Sequence, residues 1–355
     1  MAGVSVVTGS MPSAGGSWRV ERRLRFSRER RVIEGAPQFG FHTGGHVLIV
    51  EFAAGWIGSI EDGEVVWTVG AWDPGLAVTH VQAPFDESRF VAAVTPRTLL
   101  VSDAHVVHRI ELPSLRVTAL VDTTEFGVKE LGNCVPAPDG HLWANDILGH
   151  QIVELTSEGQ LIRRIGDGIA GFQRGTVGCA EARFGWIYDL RCGPDGRLYV
   201  LDSTNYAVRV VDPALGTVTT ICGDGIPGGR GDGGPASLAR LGGDPAADFD
   251  GPWSLVVDSD GDVYIGDTHN HAVRRIDAAT GLITTIASAT SASPPIEGVT
   301  DGSTTEGDAS RSREPHAPFT KICGLDLNPA TGRLLVPDWI DDESDELLVL
   351  VRAAT

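Results

Sequence analysis

Residues 186–223 read WIYDLRCGPDGRLYVLDSTNYAVRVVDPALGTVTTICG, and this stretch decides the fold. It holds an apolar run, an Asp-Gly turn, an alternating strand closed by Asp202, a polar turn, a second alternating strand and a Thr/Ile-rich fourth strand. The same order returns upstream in 129–166, KELGNCVPAPDGHLWANDILGHQIVELTSEGQLIRRIG, and downstream in 252–288, PWSLVVDSDGDVYIGDTHNHAVRRIDAATGLITTIAS. A four-stranded antiparallel meander is the blade of a β-propeller. One blade cannot bury both of its apolar faces, so blades must stack around an axis until the ring closes.

Outward from these copies the pattern recurs over 37–70, 89–121 and 321–352, where the chain stops one strand short of a blade. The alternating segment Trp18–Ser27, WRVERRLRFS, can supply that missing strand. Pairing first strand with last closes the ring and removes open sheet edges. The expectation is an all-β, six-bladed propeller over 17–355, preceded by a flexible tail at 1–16. The Ser-, Thr-, Gly- and Pro-rich connection 289–320 reads as a flexible insertion or lid. Together with 167–185 and 224–251 it builds up one face of the ring, where a ligand is expected.

Composition narrows the function classes. A net charge of −19 argues against nucleic acid or an anionic membrane as partner. No apolar run approaches the roughly 20 residues that span a bilayer. The first residues lack a secretory signal's basic start and apolar core. Five cysteines without a C-x-x-C spacing read as reduced thiols, so a soluble, cytoplasmic protein is expected.

The segments GDGIAGF at 166–172, LDSTNYAVRVVD at 201–212, GDGIPGGRGDGGPA at 223–236 and IGDTHNHAVRRID at 265–277 resemble the NHL-repeat family of propellers. The resemblance implies the propeller fold, on a scaffold that serves interaction platforms as well as enzymes.

In a propeller the first residues of each innermost strand open at the loop-rich end of the central channel. Counting back from each Asp-Gly turn or its equivalent places Arg89, Phe90, Asn133, Tyr188, Asp189, Trp253 and Ser254 around that mouth. A carboxylate, an arginine, an amide and aromatics on one axis read as a small-molecule site. Asp189, Arg89 and Tyr188 are the catalytic candidates, with Asp189 as general acid or base. Asn133, Trp253, Ser254 and Phe90 are the candidates for holding a small organic ligand, aromatic or anionic.

Asn133 and Asp189 are also similar to part of the calcium site of regucalcin- and gluconolactonase-like lactonases, and Glu34 is placed to complete it. Strictosidine-synthase-like propellers offer a looser analogy. The reading is therefore an enzyme of hydrolase, lyase or cyclase type. Its alternative is a non-catalytic platform that docks a protein or peptide, or a ligand sensor.

Other polar residues read as structural. Asp202 and Asp267 end strands, where a carboxylate accepts hydrogen bonds from the turn that follows. His150, Tyr206 and His271 occupy equivalent places and so share a structural role. Arg230-Gly231-Asp232 spells an adhesion tripeptide inside a blade-connecting loop and reads as coincidence.

Overall fold

In a computed structural model the quoted repeats form antiparallel meanders, and six such sheets make a six-bladed β-propeller. The structure describes residues 5–7, 18–27, 38–41, 47–51, 56–61, 64–70, 79–83, 85, 88–243, 247, 249–288, 319–328, 330–341 and 344–352. From inside outward, blade I is Gln38–Phe41, Val47–Glu51, Trp56–Glu61 and Glu64–Gly70, and blade II is Ser88–Thr95, Thr98–Asp103, Val106–Glu111 and Arg116–Asp122. Blade III is Leu131–Pro136, Leu142–Asp146, Gln151–Leu155 and Leu161–Ile165; blade IV is Ile187–Cys192, Leu198–Asp202, Ala207–Asp212 and Thr217–Cys222. Blade V is Ser254–Val257, Val263–Asp267, Ala272–Ile276 and Ile283–Ser288. Blade VI is Asp326–Asn328, Arg333–Asp341, Ser344–Arg352 and, returning from the start of the chain, Trp18–Ser27. The first strand of each blade contacts that of the next, and blade VI meets blade I.

The closure runs antiparallel from Trp18 opposite Arg352 to Ser27 opposite Ser344. Its anchor is Trp18, 5% exposed, whose ring meets Tyr264 edge-on with centroids 5.5 Å apart. Three blades carry a fifth strand that the repeat does not contain. Thr176–Gly178 pairs antiparallel with the outer strand of blade IV, Thr79–Gln82 pairs parallel with that of blade I, and Ser5–Val7 pairs with Trp18–Ser27. An outer strand leaves a row of unpaired backbone groups, and nearby chain covers them. Part of the expected tail therefore serves as an edge strand, while the 289–318 insertion lies outside the described residues.

The apolar cores sit between blades, because each sheet has two apolar faces and no other layer to cover them. Separate clusters fill the five successive contacts from blade I to blade VI. Between IV and V, for example, Leu201, Val208 and Tyr199 pack on Leu255, Val263 and Ile265. Burying a side chain of this size contributes roughly 1.5–3 kcal/mol. The Asp-Gly turns have their glycine in the left-handed region, as at Gly196 with φ 76°, where a Cβ is disfavoured.

Aspartates at or near the ends of second strands hold the chain that enters blades III to VI. Asp146 accepts the Lys129 and Glu130 N–H groups, Asp202 that of Gly185, Asp267 that of Gly242, and Asp338 those of Thr320 and Lys321. In blades IV and V a buried arginine completes the unit: Arg209 pairs with Asp202 at 3.1 Å, and Arg274 lies 3.6 Å from Asp267. Arg274 also takes Asp232 at 2.8 Å, which gives the adhesion-like tripeptide a structural use. His150, Tyr206 and His271 share φ of 54°, 50° and 50°. Their side chains reach Gly185 O, Asp250 and Thr320 O in the chain entering the next blade, so their repetition is structural. These contacts also bring Gly185, Asp250 and Thr320, where the long connections end, to the turns between second and third strands.

Candidate functional site

Two hydrogen bonds gather the channel mouth around one carboxylate. Asp189, near the start of blade IV's inner strand, accepts Asn133 Nδ2–H of blade III at 2.5 Å on Oδ1. Its Oδ2 accepts the Leu255 N–H of blade V at 3.0 Å. Oδ1 further accepts its neighbour's Leu190 N–H at 2.8 Å and pairs with the Arg191 guanidinium. Asp189 is 3% exposed, and burial pushes its carboxyl up to about 6, against the opposing pull of Arg191 and the amides. Oδ2, with a single protein donor, is the oxygen left able to take a proton.

Around this carboxylate lies a slot lined by Phe90, Asn133, Tyr188, Asp189, Arg191, Trp253, Ser254, Cys323, Gly324 and Asp326, closed by Val50, Val91 and Leu325. Residues of blades I to VI therefore all reach it. Its volume of about 40 Å³ holds a few waters or one functional group of a ligand. Two polar atoms of its lining are buried without a hydrogen-bond partner, Trp253 Nε1 and Ser254 Oγ. Buried polar groups are satisfied in the great majority of cases, so a pair of orphans in one slot calls for a missing partner. Burial also raises the Tyr188 phenol and keeps it protonated as a donor.

An aromatic ladder leads out of the slot. Tyr188 lies 5.8 Å from Trp253 and stacks on Phe249 at 4.9 Å; Phe249 stacks in turn on Trp186 at 6.1 Å and 12°. The Arg191 guanidinium sits 4.6 Å over the Phe90 ring, and Lys321 Nζ sits 4.6 Å over the Trp253 ring.

The structure brings Phe90, Asn133, Tyr188, Asp189, Trp253 and Ser254 together in the lining of one slot. Arg89 is not among the slot residues: it forms an ion pair with Glu130, near enough to Tyr188 to act on its phenol through charge. Arg89 is the extra residue where the ladder to Thr98–Asp103 slips between Ser88 and Phe90, and its side chain goes to Glu130 while Phe90 lines the slot. Glu34 lies outside the described residues. Asn133 and Asp189 are adjacent, but the amide gives its N–H to the carboxylate and Arg191 already neutralises it. That donor set does not fit an oxygen cage for calcium. Among the described residues the only His/Cys/Asp/Glu group compact enough for a metal is Asp139, His141 and Glu154, remote from the mouth at the Asp-Gly turn of blade III. There Glu154 is already paired with Arg163 and His141.

Counting missed Arg191, Phe249 and Lys321. Arg191 stands two residues beyond Asp189 on the same strand, hence on the same face, and that spacing was the available signal. Phe249 comes from an irregular connection, which no strand register reaches. Among the described residues no helix is long and apolar enough to cross a membrane.

Fold and mouth together define a six-bladed propeller with a pocket at the loop-rich end of its channel. Residues 249–276 match the family model of the NHL repeat, so blade V carries that repeat. The chain is 29% identical over 90 residues to Protein SUPPRESSOR OF QUENCHING 1, chloroplastic, of Arabidopsis thaliana; the match takes in 25% of this chain and 8% of that protein's length. An auxiliary nutrient binding protein from Bacteroides thetaiotaomicron superposes with a TM-score of 0.58 at 14% identity, covering 98% of this chain and 76% of the other. Virginiamycin B lyase from Staphylococcus aureus superposes with a TM-score of 0.52 at 15% identity, covering 94% and 99%. At these identities the structural likeness is one of fold, and it spans proteins named as a binder and as an enzyme.

Proposed function

We propose that this protein is an enzyme of hydrolase, lyase or cyclase type that acts on a small organic molecule at the channel mouth. The observation that carries the reading is the slot itself: a buried carboxylate with a pKa near 6 beside two donors that lack partners. At neutral pH Asp189 is ionised, and Oδ2 can accept a proton from substrate or water. The Tyr188 phenol can return one to a leaving oxygen or carbanion. Trp253 Nε1–H and Ser254 Oγ–H can hold an oxygen on which charge develops. Arg191 keeps Asp189 charged and oriented.

The test is turnover, followed by proton NMR, of a panel of lactones, aryl esters and β-substituted carbonyl compounds. Wild-type protein is expected to convert at least one. Asp189→Asn should lower that rate by about a hundredfold or more, and Tyr188→Phe by about tenfold or more. A panel left untouched by wild type, or conversion indifferent to Asp189→Asn, would remove the enzyme reading.

A second reading, a docking platform, is favoured by apolar side chains on the built-up face. Ile169, Ile226 and Leu238 are 53%, 46% and 61% exposed on the two long connections. Triple substitution of these residues to serine should then abolish partner capture while leaving turnover alone.

A further inference from the structure

We propose that the slot takes the neutral hydrogen-bond acceptor of a flat, fused-ring ligand, with the rings lying along the ladder that runs from Tyr188 through Phe249 to Trp186. This inference rests on the binding half of the function proposed above and names the class of molecule.

Three observations converge on it. The first is size: at about 40 Å³ the slot admits a single group such as a carbonyl, so the body of the ligand must lie outside. The second is the chemistry of what is free. Asp189 is paired with Arg191 and Arg89 with Glu130, so these charges at the mouth are mutually compensated. The groups without partners are neutral donors, the indole N–H of Trp253 and the hydroxyl of Ser254, which is 4% exposed. An uncharged acceptor satisfies them and leaves the ion pairs intact, whereas a carboxylate would also have to face Asp189 and Asp326 in the same slot.

The third observation is the platform outside. Trp186 is 40% exposed although its backbone is held on both sides. Its N–H donates to Thr204 Oγ1 at 2.8 Å, and its carbonyl accepts the Ser203 N–H at 2.9 Å. A rigidly mounted, exposed indole loses little freedom when a ring stacks on it. Ring spacings of 6.1 and 4.9 Å lead from it back to Tyr188 in the slot lining, so a ligand of two or more fused rings can touch ladder and slot at once.

Three probes separate the elements: 2-acetonaphthone, with rings and carbonyl; 2-acetyldecalin, with the carbonyl on a saturated skeleton; and 2-naphthylmethylammonium, with the rings but no acceptor. Affinities measured by ligand-observed NMR on the 355-residue chain should favour 2-acetonaphthone over each of the others by about tenfold or more. Trp186→Ala should reduce its affinity several-fold while leaving the weaker binding of 2-acetyldecalin unchanged. Ser254→Ala should reduce both ketones and spare the ammonium compound. Each variant is checked for an unchanged melting temperature, and Trp186→Phe, which keeps a flat ring, should restore most of the binding. Equal affinity for the aryl and saturated ketones, indifference to Trp186→Ala, or no binding of 2-acetonaphthone at millimolar concentration would each overturn the inference. Conversion of a purely aliphatic panel member through Asp189 would sink it alone; 2-acetonaphthone binding with no conversion of any panel member would sink the enzyme reading alone.

Discussion

The Leu255 backbone N–H donates to Asp189 Oδ2 at 3.0 Å, joining blade V to a carboxylate of blade IV that also holds Asn133 of blade III. The candidate base is thus a tie between three blades, and its replacement has a structural as well as a chemical consequence. Asp189→Asn keeps the volume but turns an amide N–H toward donors, and should cost about 1–3 kcal/mol of stability. Asp189→Ala leaves Arg191 and two backbone donors without an acceptor and should cost about 3 kcal/mol or more. Melting curves compared with turnover separate the effects: a loss of rate in Asp189→Asn at temperatures where the variant is fully folded belongs to chemistry.

Acid pH should move Asp189's contribution to stability and the activity in opposite directions. The Asp189 carboxyl titrates near 6 in the folded protein, chiefly through burial, and near 3.9 when unfolded. Between those values the folded state binds more protons, so this group's contribution to stability rises as pH falls from about 6 to about 4. Asp202 and Asp267, also raised to about 6 by burial, titrate alike in wild type and in Asp189→Asn, and largely cancel in the difference between the two. The stability of wild type relative to the variant should therefore increase on acidification through this window. Turnover, which needs the ionised carboxylate, should fall through the same pH. A stability difference flat between pH 4 and 7 would show that Asp189 is not perturbed.

The propeller was legible because blades III, IV and V write the same period, alternating apolar residues, an Asp-Gly turn and an aspartate closing the second strand, and the apolar pattern repeats around them. Register counted from those turns carried over to Asn133, Tyr188, Asp189, Trp253 and Ser254 because an inner strand has a fixed place relative to the axis. It could not tell Arg89 from Phe90, since one residue of slip exchanges the faces of a strand. Glu130, which holds Arg89, comes from a connection whose path depends on tertiary packing. The fifth strands were hidden for a related reason: Ser5–Val7 and Thr176–Gly178 are only three residues each, too short to show a period.

Closure by the beginning of the chain predicts a sharp sensitivity there. Removing residues 1–27 would bare the Ser344–Arg352 edge and take Trp18 from its contact with Tyr264. The truncated protein should collect in the insoluble fraction. Trp18→Ala keeps the strand and loses only the buried ring, so it should remain soluble with stability lowered by about 3–5 kcal/mol. Soluble truncated protein with the melting temperature of wild type would show that the ring closes without this strand.

The buried pair of blade IV should behave unlike a surface salt bridge. Asp202 and Arg209 are both fully buried, and the guanidinium also faces the Phe184 and Phe172 rings at 5.4 and 6.0 Å. Asp202→Ala leaves a cation in an apolar interface and frees the Gly185 N–H that fixes the entry to the Tyr188–Asp189 strand. Its cost should reach about 3–5 kcal/mol. Arg209→Met alone should cost less, because Asp202 keeps the Gly185 and Asn205 donors, and methionine fills the space between the two phenyl rings. In the double variant Asp202→Ala/Arg209→Met the penalty should fall below that of Asp202→Ala, since no charge is left stranded. Denaturant unfolding of the three proteins measures this coupling. Additive losses, with the double variant the least stable of the three, would mean that the aspartate acts solely through the backbone of the blade IV entry and that the arginine contributes only its packing.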